Sequence, residues 1–335
     1  MEAEVQGMTQ LTYLDASLAA IAEEMRHDPS VFFMAQDLRA NLYGRFPLEE
    51  FSEERILSLP ISEAGFVGAG VGAALTGLRP VIDMAYSTFL YSAMDQVVNQ
   101  AAKIRYMSGG QARVPLLLLA SVVYGSAQAA HHADRPFALF ANSPGLKIVV
   151  PSTPYDMKGL TTAAIREDDP VLLFKDATLF EMRGPVPVED YVIPLGSADV
   201  KREGVDVTVV AIAGAVKVAL AAAQRLETEG ISVEVVDPRS LVPLDHETIS
   251  ASVEKTGRVV VVDPAPRTCS FASELVASLA EEWFWRLRAA PLRVTAADVP
   301  TPFSPPLERQ TLPDVEQVAQ AVRCVVSEKR VRSNG

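Results

Sequence analysis

Glu63 and the adjacent pair His131 and His132 are the side chains in this sequence whose types and settings best suit proton chemistry. Glu63 opens a small-residue stretch, 62–75, that reads as a helix. On residue pattern alone it is a first-turn carboxylate favoured by the helix dipole, an effect worth a few tenths to about 1 kcal/mol. The two histidines fall in a long loop, 120–136, between a buried strand and the next helix. Loops that follow strand ends in open α/β sheets are where ligands bind. Acid–base work or anion binding is therefore one reading of the pair, and an inert loop is the other. No carboxylate or cysteine cluster with ligand spacing accompanies them, which argues against a metal. His27 and His246 lie in polar surroundings at helix ends and read as solvated.

The segment Gly65-Phe66-Val67-Gly68-Ala69-Gly70-Val71-Gly72-Ala73 invites a dinucleotide-binding reading. Its spacing is not G-x-G-x-x-G, no apolar strand leads into it, and the next acid, Asp83, is misplaced for a ribose. Gly65, Gly68, Gly72 and Thr76 recur at helical spacing instead, a face suited to close approach by another backbone, as at a subunit contact. There is no G-x-S-x-G and no Walker phosphate loop, so nucleophilic-serine and P-loop chemistry find no support.

The elements that position these residues alternate between strand and helix. In the first half, 11–25 reads as an amphipathic helix, 31–34 as a buried strand, 81–84 as a strand and 91–107 as a helix. A strand at 115–119, the histidine loop, a strand at 147–150, a helix at 155–166 and a strand at 170–174 follow. From 176 to 197 the pattern lapses and Pro185, Pro187 and Pro194 break regular structure, which predicts a linker. Strand and helix then alternate again from 206 to 295, and a last helix covers 315–326. The expectation is α/β with two doubly wound domains, 1–185 and 198–335.

The chain has 335 residues, 49% hydrophobic and 21% charged, enough for two domains of ordinary size. Its net charge of −12 disfavours nucleic acid and anionic membrane as partners. An acidic surface also suits docking onto a basic partner, though solubility is the plainer reading. The longest apolar stretch, 114–124, is far short of the ~20 residues that span a bilayer. The acidic, polar start lacks a signal-peptide layout. Cys269 and Cys324 are far apart in sequence, which suits a reducing cytoplasm. The basic end (Lys329, Arg330, Arg332) reads as a frayed tail.

Several longer runs carry a family resemblance. Leu59-Pro60-Ile61-Ser62-Glu63-Ala64-Gly65-Phe66, Gly77-Leu78-Arg79-Pro80-Val81 and Asp95-Gln96-Val97-Val98-Asn99-Gln100-Ala101-Ala102-Lys103 occur in order. Tyr106-Met107-Ser108-Gly109-Gly110, Pro144-Gly145-Leu146-Lys147-Ile148-Val149-Val150-Pro151-Ser152 and Asp237-Pro238-Arg239-Ser240-Leu241-Val242-Pro243-Leu244-Asp245 follow, then a Pro-Phe-Ser-Pro-Pro-Leu-Glu run ending at Glu308. Together they resemble the β subunits of pyruvate, branched-chain and acetoin dehydrogenase E1 enzymes over residues 11–326.

The resemblance implies a pyrimidine-binding domain for thiamine diphosphate, followed by a transketolase C-terminal-like domain. It implies that Mg²⁺ and the diphosphate are held by an E1 α-like partner, through a Gly-Asp-Gly motif that this chain lacks, in a cytoplasmic α₂β₂ assembly serving a lipoyl-bearing E2 or carrier protein. It gives Glu63 the task of hydrogen-bonding ring nitrogen N1′ of the coenzyme, so that the thiazolium carbon can lose its proton. Phe89 matches the aromatic residue that stacks on the pyrimidine, Tyr86 and Ala85 its neighbours on the same wall, and His132 the histidine facing the reacting carbon. His131 and Arg135 fall on the substrate or acceptor side. The chain also departs from the family: Ala133-Asp134-Arg135 stands where Ser-Gln-Ser is usual, Ala35-Gln36-Asp37 replaces Gly-Glu-Asp, and Pro264 replaces a glutamate. These changes leave open a transketolase-like reaction on a ketose phosphate, with Arg135 on the phosphate, and a non-catalytic assembly subunit.

Overall fold

The computed structural model describes residues 7–38 and 44–327. The basic tail and residues 1–6 lie outside them. The chain forms two compact units, Met1–Leu195 with Leu241–Pro243, and Gly196–Ser240 with Leu244–Gly335.

The first unit is built on β1 (Met8–Thr12), α1 (Tyr13–His27), β2 (Val31–Gln36), β3 (Ile56–Leu59), α2 (Glu63–Leu75), β4 (Arg79–Tyr86), β5 (Leu117–Val122), β6 (Lys147–Val149), α3 (Pro154–Arg166), β7 (Val171–Asp176) and β8 (Arg183–Pro187). Its seven-stranded sheet has the order β12-β6-β7-β5-β4-β2-β3, where β12 is Ser240–Val242. From β6 through β3 every pairing is parallel. Both faces of such a sheet are buried, which is why β2 and β5 read as unbroken apolar runs. Tyr13, Ile21, Met25, Phe33, Val81, Leu117 and Leu173 share one core cluster.

Local chemistry sets the helix boundaries. Thr12 caps α1, accepting from the Asp15 N–H at 3.1 Å while donating to its carboxylate at 2.7 Å, so the helix starts two residues later than periodicity predicts. Thr153 caps α3 in the same way, with Pro154 in the first turn. In α2 the inward glycine is Gly70, where a Cβ would stand 2.5 Å from Ile82 Cδ1; its absence lets the helix lie on β4. Gly65 and Gly72 are exposed and Gly68 is half-buried, so that stripe faces out of the sheet.

Three expectations are corrected. Residues 91–107 are not one α-helix: a 3₁₀ segment (Ser87–Ala93), a π-helix (Asp95–Ala101) and a short α-helix (Ile104–Met107) follow one another. The π turn is closed by the Ala102 N–H to Val97 carbonyl bond of 3.1 Å, and Leu90, Ala93, Val97 and Ala101 are all buried along these segments. The lapse at 176–197 contains β8, which pairs antiparallel with β1. Its prolines are tolerated because both strands of a two-stranded ribbon are edges with unpaired sides. Finally, residues 241–243 extend the first sheet from inside the second half of the sequence.

The second unit contains β9 (Asp199–Arg202), β10 (Val207–Ala211), α4 (Ala215–Glu227), β11 (Val233–Asp237), α5 (His246–Thr256), β13 (Val259–Pro266), α6 (Phe271–Trp283), β14 (Leu292–Ala296) and α7 (Val315–Ser327). The sheet order is β14-β13-β10-β11-β9, parallel except for the edge strand β9. Alternate residues of β10 serve opposite faces: Val209 packs with Ala219 and Val322, and Val210 with Ile249 and Leu275. Helices cover both sides, the doubly wound arrangement expected from the alternation of elements.

Gly145 carries the tightest close approach in the first unit. It has φ +104° and an added Cβ would stand only 1.9 Å from the Ala102 carbonyl oxygen. We expect Gly145→Ala to cost about 2–4 kcal/mol through backbone strain and displacement of the π segment. A lowered urea midpoint measures this, and an unchanged midpoint would contradict it.

Candidate active site

In the first unit the connections that leave β3, β4 and β5 all start at the carboxyl ends of parallel strands, where open α/β sheets bind ligands. Glu63 begins α2 directly after β3, and Ser62 before it is extended and supplies no side-chain cap. The Glu63 side chain is half-buried, and its carboxylate has no hydrogen bond or ion pair among the described residues. The helix that it opens packs on the Ser87–Ala93 segment, which carries Phe89.

Three of the expected site residues meet. The Tyr86 and His132 rings are 4.5 Å apart between centroids, Tyr86 and Phe89 are 5.2 Å apart, and Phe89 and His132 are 5.8 Å apart. All three are partly exposed, so the cluster forms a wall rather than a core. Ala85, before Tyr86, is exposed and left-handed at φ +58°. A non-glycine residue there is strained unless held, and the Asp83 carboxylate accepts its N–H at 2.9 Å. The other Asp83 oxygen lies 2.7 Å from the ammonium of Lys175.

His131 and Arg135 do not join this wall. His131 is exposed on the loop. Arg135 turns inward and is 5% exposed; its guanidinium lies 5.2 Å over the Tyr124 ring and donates to the Ala133 carbonyl at 2.6 Å. Tyr124 in turn donates to the Asp176 carboxylate at 2.5 Å. Burial first, then the Asp176 charge, pushes the Tyr124 phenol well above its ordinary range, so it remains a donor.

The histidine loop is also tied to the aromatic segment. Ser87 Oγ donates to the Asp134 carbonyl at 2.7 Å, and the Tyr91 hydroxyl donates to the Asp134 carboxylate at 3.0 Å. Desolvation, then the Asp134 charge, raises the Tyr91 phenol. Asp83, Tyr124, Lys175 and Asp176 thus support the site without any motif announcing them. The available signal was a charged residue closing an apolar strand, as in Val81-Ile82-Asp83 and Leu173-Phe174-Lys175-Asp176, since such charges are rarely buried unless paired.

Two larger cavities lie elsewhere. One of about 640 Å³ in the first unit is lined by Ala102, Tyr106, Leu146, Lys147, Val242 and Pro243, among others. The second, of about 750 Å³, lies in the second unit by Arg267 and Arg293. Neither is lined by Glu63, Phe89 or His132.

Residues 9–180 match the family described as transketolase, pyrimidine binding domain, and residues 196–318 match transketolase, C-terminal domain. The chain is 48% identical to the β subunit of acetoin:2,6-dichlorophenolindophenol oxidoreductase of Bacillus subtilis, covering 81% of this chain and 79% of that one. It is 40% identical to the 2-oxoisovalerate dehydrogenase β subunit of the same organism, over 94% of this chain and 98% of the relative. The pyruvate dehydrogenase E1 β subunit of Bacillus subtilis is also 40% identical, over 95% and 99%. The chain belongs to the E1 β-subunit family. Outside the E1 β subunits, a split-gene transketolase solved as an inactive β₄ tetramer shares the fold, with TM-score 0.80 at 24% identity over 96% of this chain and 99% of that one.

If the Asp134 tether fixes the histidine loop, removing either hydrogen bond should loosen it locally. A typical net bond of 0.5–1.5 kcal/mol predicts roughly 2- to 10-fold faster amide exchange at Ala130–His132 in Ser87→Ala or Tyr91→Phe, with β5 unaffected. Equal exchange rates in the variants and the parent would refute the tether.

Proposed function

We propose that this chain is the β subunit of a two-component thiamine-diphosphate-dependent E1 enzyme. It works with an α chain in an α₂β₂ assembly, cleaves a C–C bond next to a ketone, as in 2-oxo acid decarboxylation, and passes the acyl unit to a lipoyl group. Two observations support this: Glu63 is half-buried and has no side-chain partner among the described residues, and the helix that it opens packs against the segment bearing Phe89, which meets Tyr86 and His132 in one ring cluster.

These residues fit an aminopyrimidine ring. Phe89 and Tyr86 offer aromatic faces for stacking. Exposed Ala85 adds no bulk beside them. Glu63, with no competing partner among the described residues, is free to share a proton with ring nitrogen N1′. When bound, thiamine diphosphate supplies a nucleophilic thiazolium carbon. His132 is held by its two ring contacts and can orient a ketone or move a proton at the reacting oxygen. Among the described residues no group of three or more His, Cys, Asp or Glu side chains converges on one point. The Gly-Asp-Gly motif that the resemblance gives to the α chain supports assigning Mg²⁺ and the diphosphate to that chain.

The relatives are named for acetoin, 2-oxoisovalerate and pyruvate, which makes the donor a ketone flanked by a carboxylate or a hydroxyalkyl carbon. The ketose phosphate alternative needs Arg135 to face the substrate; its guanidinium is buried against Tyr124, and no observation favours that reading. No helix among the described residues is long and apolar enough to cross a membrane.

Glu63→Gln, reconstituted with the cognate α chain, should still bind thiamine diphosphate by calorimetry but lose roughly 10²–10⁴-fold in the rate of C2–H exchange on the bound coenzyme. Exchange at the parental rate would remove Glu63 from the mechanism. Failure of the parental pair to bind the coenzyme would instead favour a non-catalytic subunit.

A further inference from the structure

Lys175 is 4% exposed at the end of an otherwise apolar strand, and an ammonium is retained there only if it is answered. Asp83 answers it at 2.7 Å. The same carboxylate holds the Ala85 N–H with its other oxygen, at 2.9 Å. Between these residues β4 carries a bulge: Asp83 pairs with Leu119 and Tyr86 with Ser121, so Met84 and Ala85 together occupy the space of one partner residue. Side chains alternate across a strand, so in a regular, unbulged ladder Tyr86, three residues on from Asp83, would fall on the opposite face. With the extra residue, Tyr86, Ser121 and Lys175 form one row across β4, β5 and β7. Tyr86 then meets His132 at 4.5 Å.

We propose that Lys175 is a positioning residue: through Asp83 it holds the left-handed Ala85 bulge that turns Tyr86 onto His132. The left-handed alanine needs a fixed acceptor for its N–H. The Asp83 carboxylate is partly exposed, and the buried Lys175 ammonium fixes its second oxygen; without that contact the carboxylate is free to turn towards solvent and release the Ala85 N–H. The consequence for coenzyme binding rests on the reading given under Proposed function; the consequence for the ring contact does not.

The test uses the full chain, without any coenzyme. His132 proton signals, assigned by difference from His132→Asn among the four histidines, should show the ring-current displacement of a stacked imidazole. Lys175→Met should return them most of the way towards free-imidazole positions, and Lys175→Arg should keep them near the parental values. Unchanged signals in a folded Lys175→Met chain overturn the proposal. Should that variant not fold, Asp83→Asn tests the same link, since it keeps an acceptor for Ala85 but removes the charge facing Lys175; there too, unmoved His132 signals overturn it. In the reconstituted pair, loss of this charge-assisted contact should raise the thiamine diphosphate Kd about tenfold in Lys175→Met, with Lys175→Arg restoring it. Displaced His132 signals with parental affinity would uphold the positioning role and count instead against the ring cluster as the coenzyme wall.

Discussion

The ring contact between Tyr86 and His132 joins the last residue of β4 to the connection that leaves β5. Tyr86 sits on the last rung of the ladder, beyond the bulge, and His132 has left it altogether, so the sheet's own hydrogen bonds do not by themselves set the contact. The mutual placement of the two rings also depends on side chains. On the β4 side it comes from Asp83 and Lys175; on the β5 side, from Tyr124, Arg135 and Asp134. Both sets of anchors lead to the end of β7, where Lys175 and Asp176 are consecutive. Successive strand residues point to opposite faces, so one strand end can hold two loops without the anchors competing.

These anchors are costly to bury, and that cost is what makes them specific. Lys175, Asp176 and Arg135 are each 5% exposed or less. Removing one partner of a buried pair leaves an uncompensated charge, typically a loss of about 3–5 kcal/mol, whereas an exposed pair contributes about 0–1 kcal/mol. The alternative arrangements of both loops are therefore penalised strongly. By contrast, pairs such as Arg286–Glu254 at the surface do little to define the structure. The site's precision is held in the layer beneath the aromatic wall.

Helices and strands with strong periodicity were readable from the sequence because local pattern and tertiary environment agree there. The buried strands at 31–36, 117–122 and 207–211 and the helices near 155–166 and 315–327 are examples. The π segment was not readable, because the apolar spacing of 90, 93, 97 and 101 is that of an ordinary α-helix. β8 was hidden by its prolines, which forbid a central strand but not an edge, and β12 is too short to announce itself. Of the candidate site residues, Glu63 lies within a contiguous motif, whereas Phe89, Tyr86 and His132 were reachable only through the family resemblance. Lys175 and Asp83, 92 residues apart in sequence, were reachable by neither route, because nothing local in either strand shows that they face one another.

The histidine loop's departure from the family, Ala133-Asp134-Arg135, has a structural account that separates it from proton chemistry. Asp134 spends its backbone carbonyl on Ser87 and its carboxylate on Tyr91, so its side chain is committed to the aromatic segment. Arg135 spends its guanidinium on Ala133 and Tyr124, inside the fold. Ala133 is fully buried and too small to reach anything. The three substituted residues therefore change how the loop is fastened and leave the His132 ring exposed to the wall it shares with Tyr86 and Phe89. Changing the fastening alters the loop's stiffness and the shape of the space above it. In the function proposed above, those properties bear on which ketone fits against the ring, while the carboxylate at Glu63 lies on a different connection.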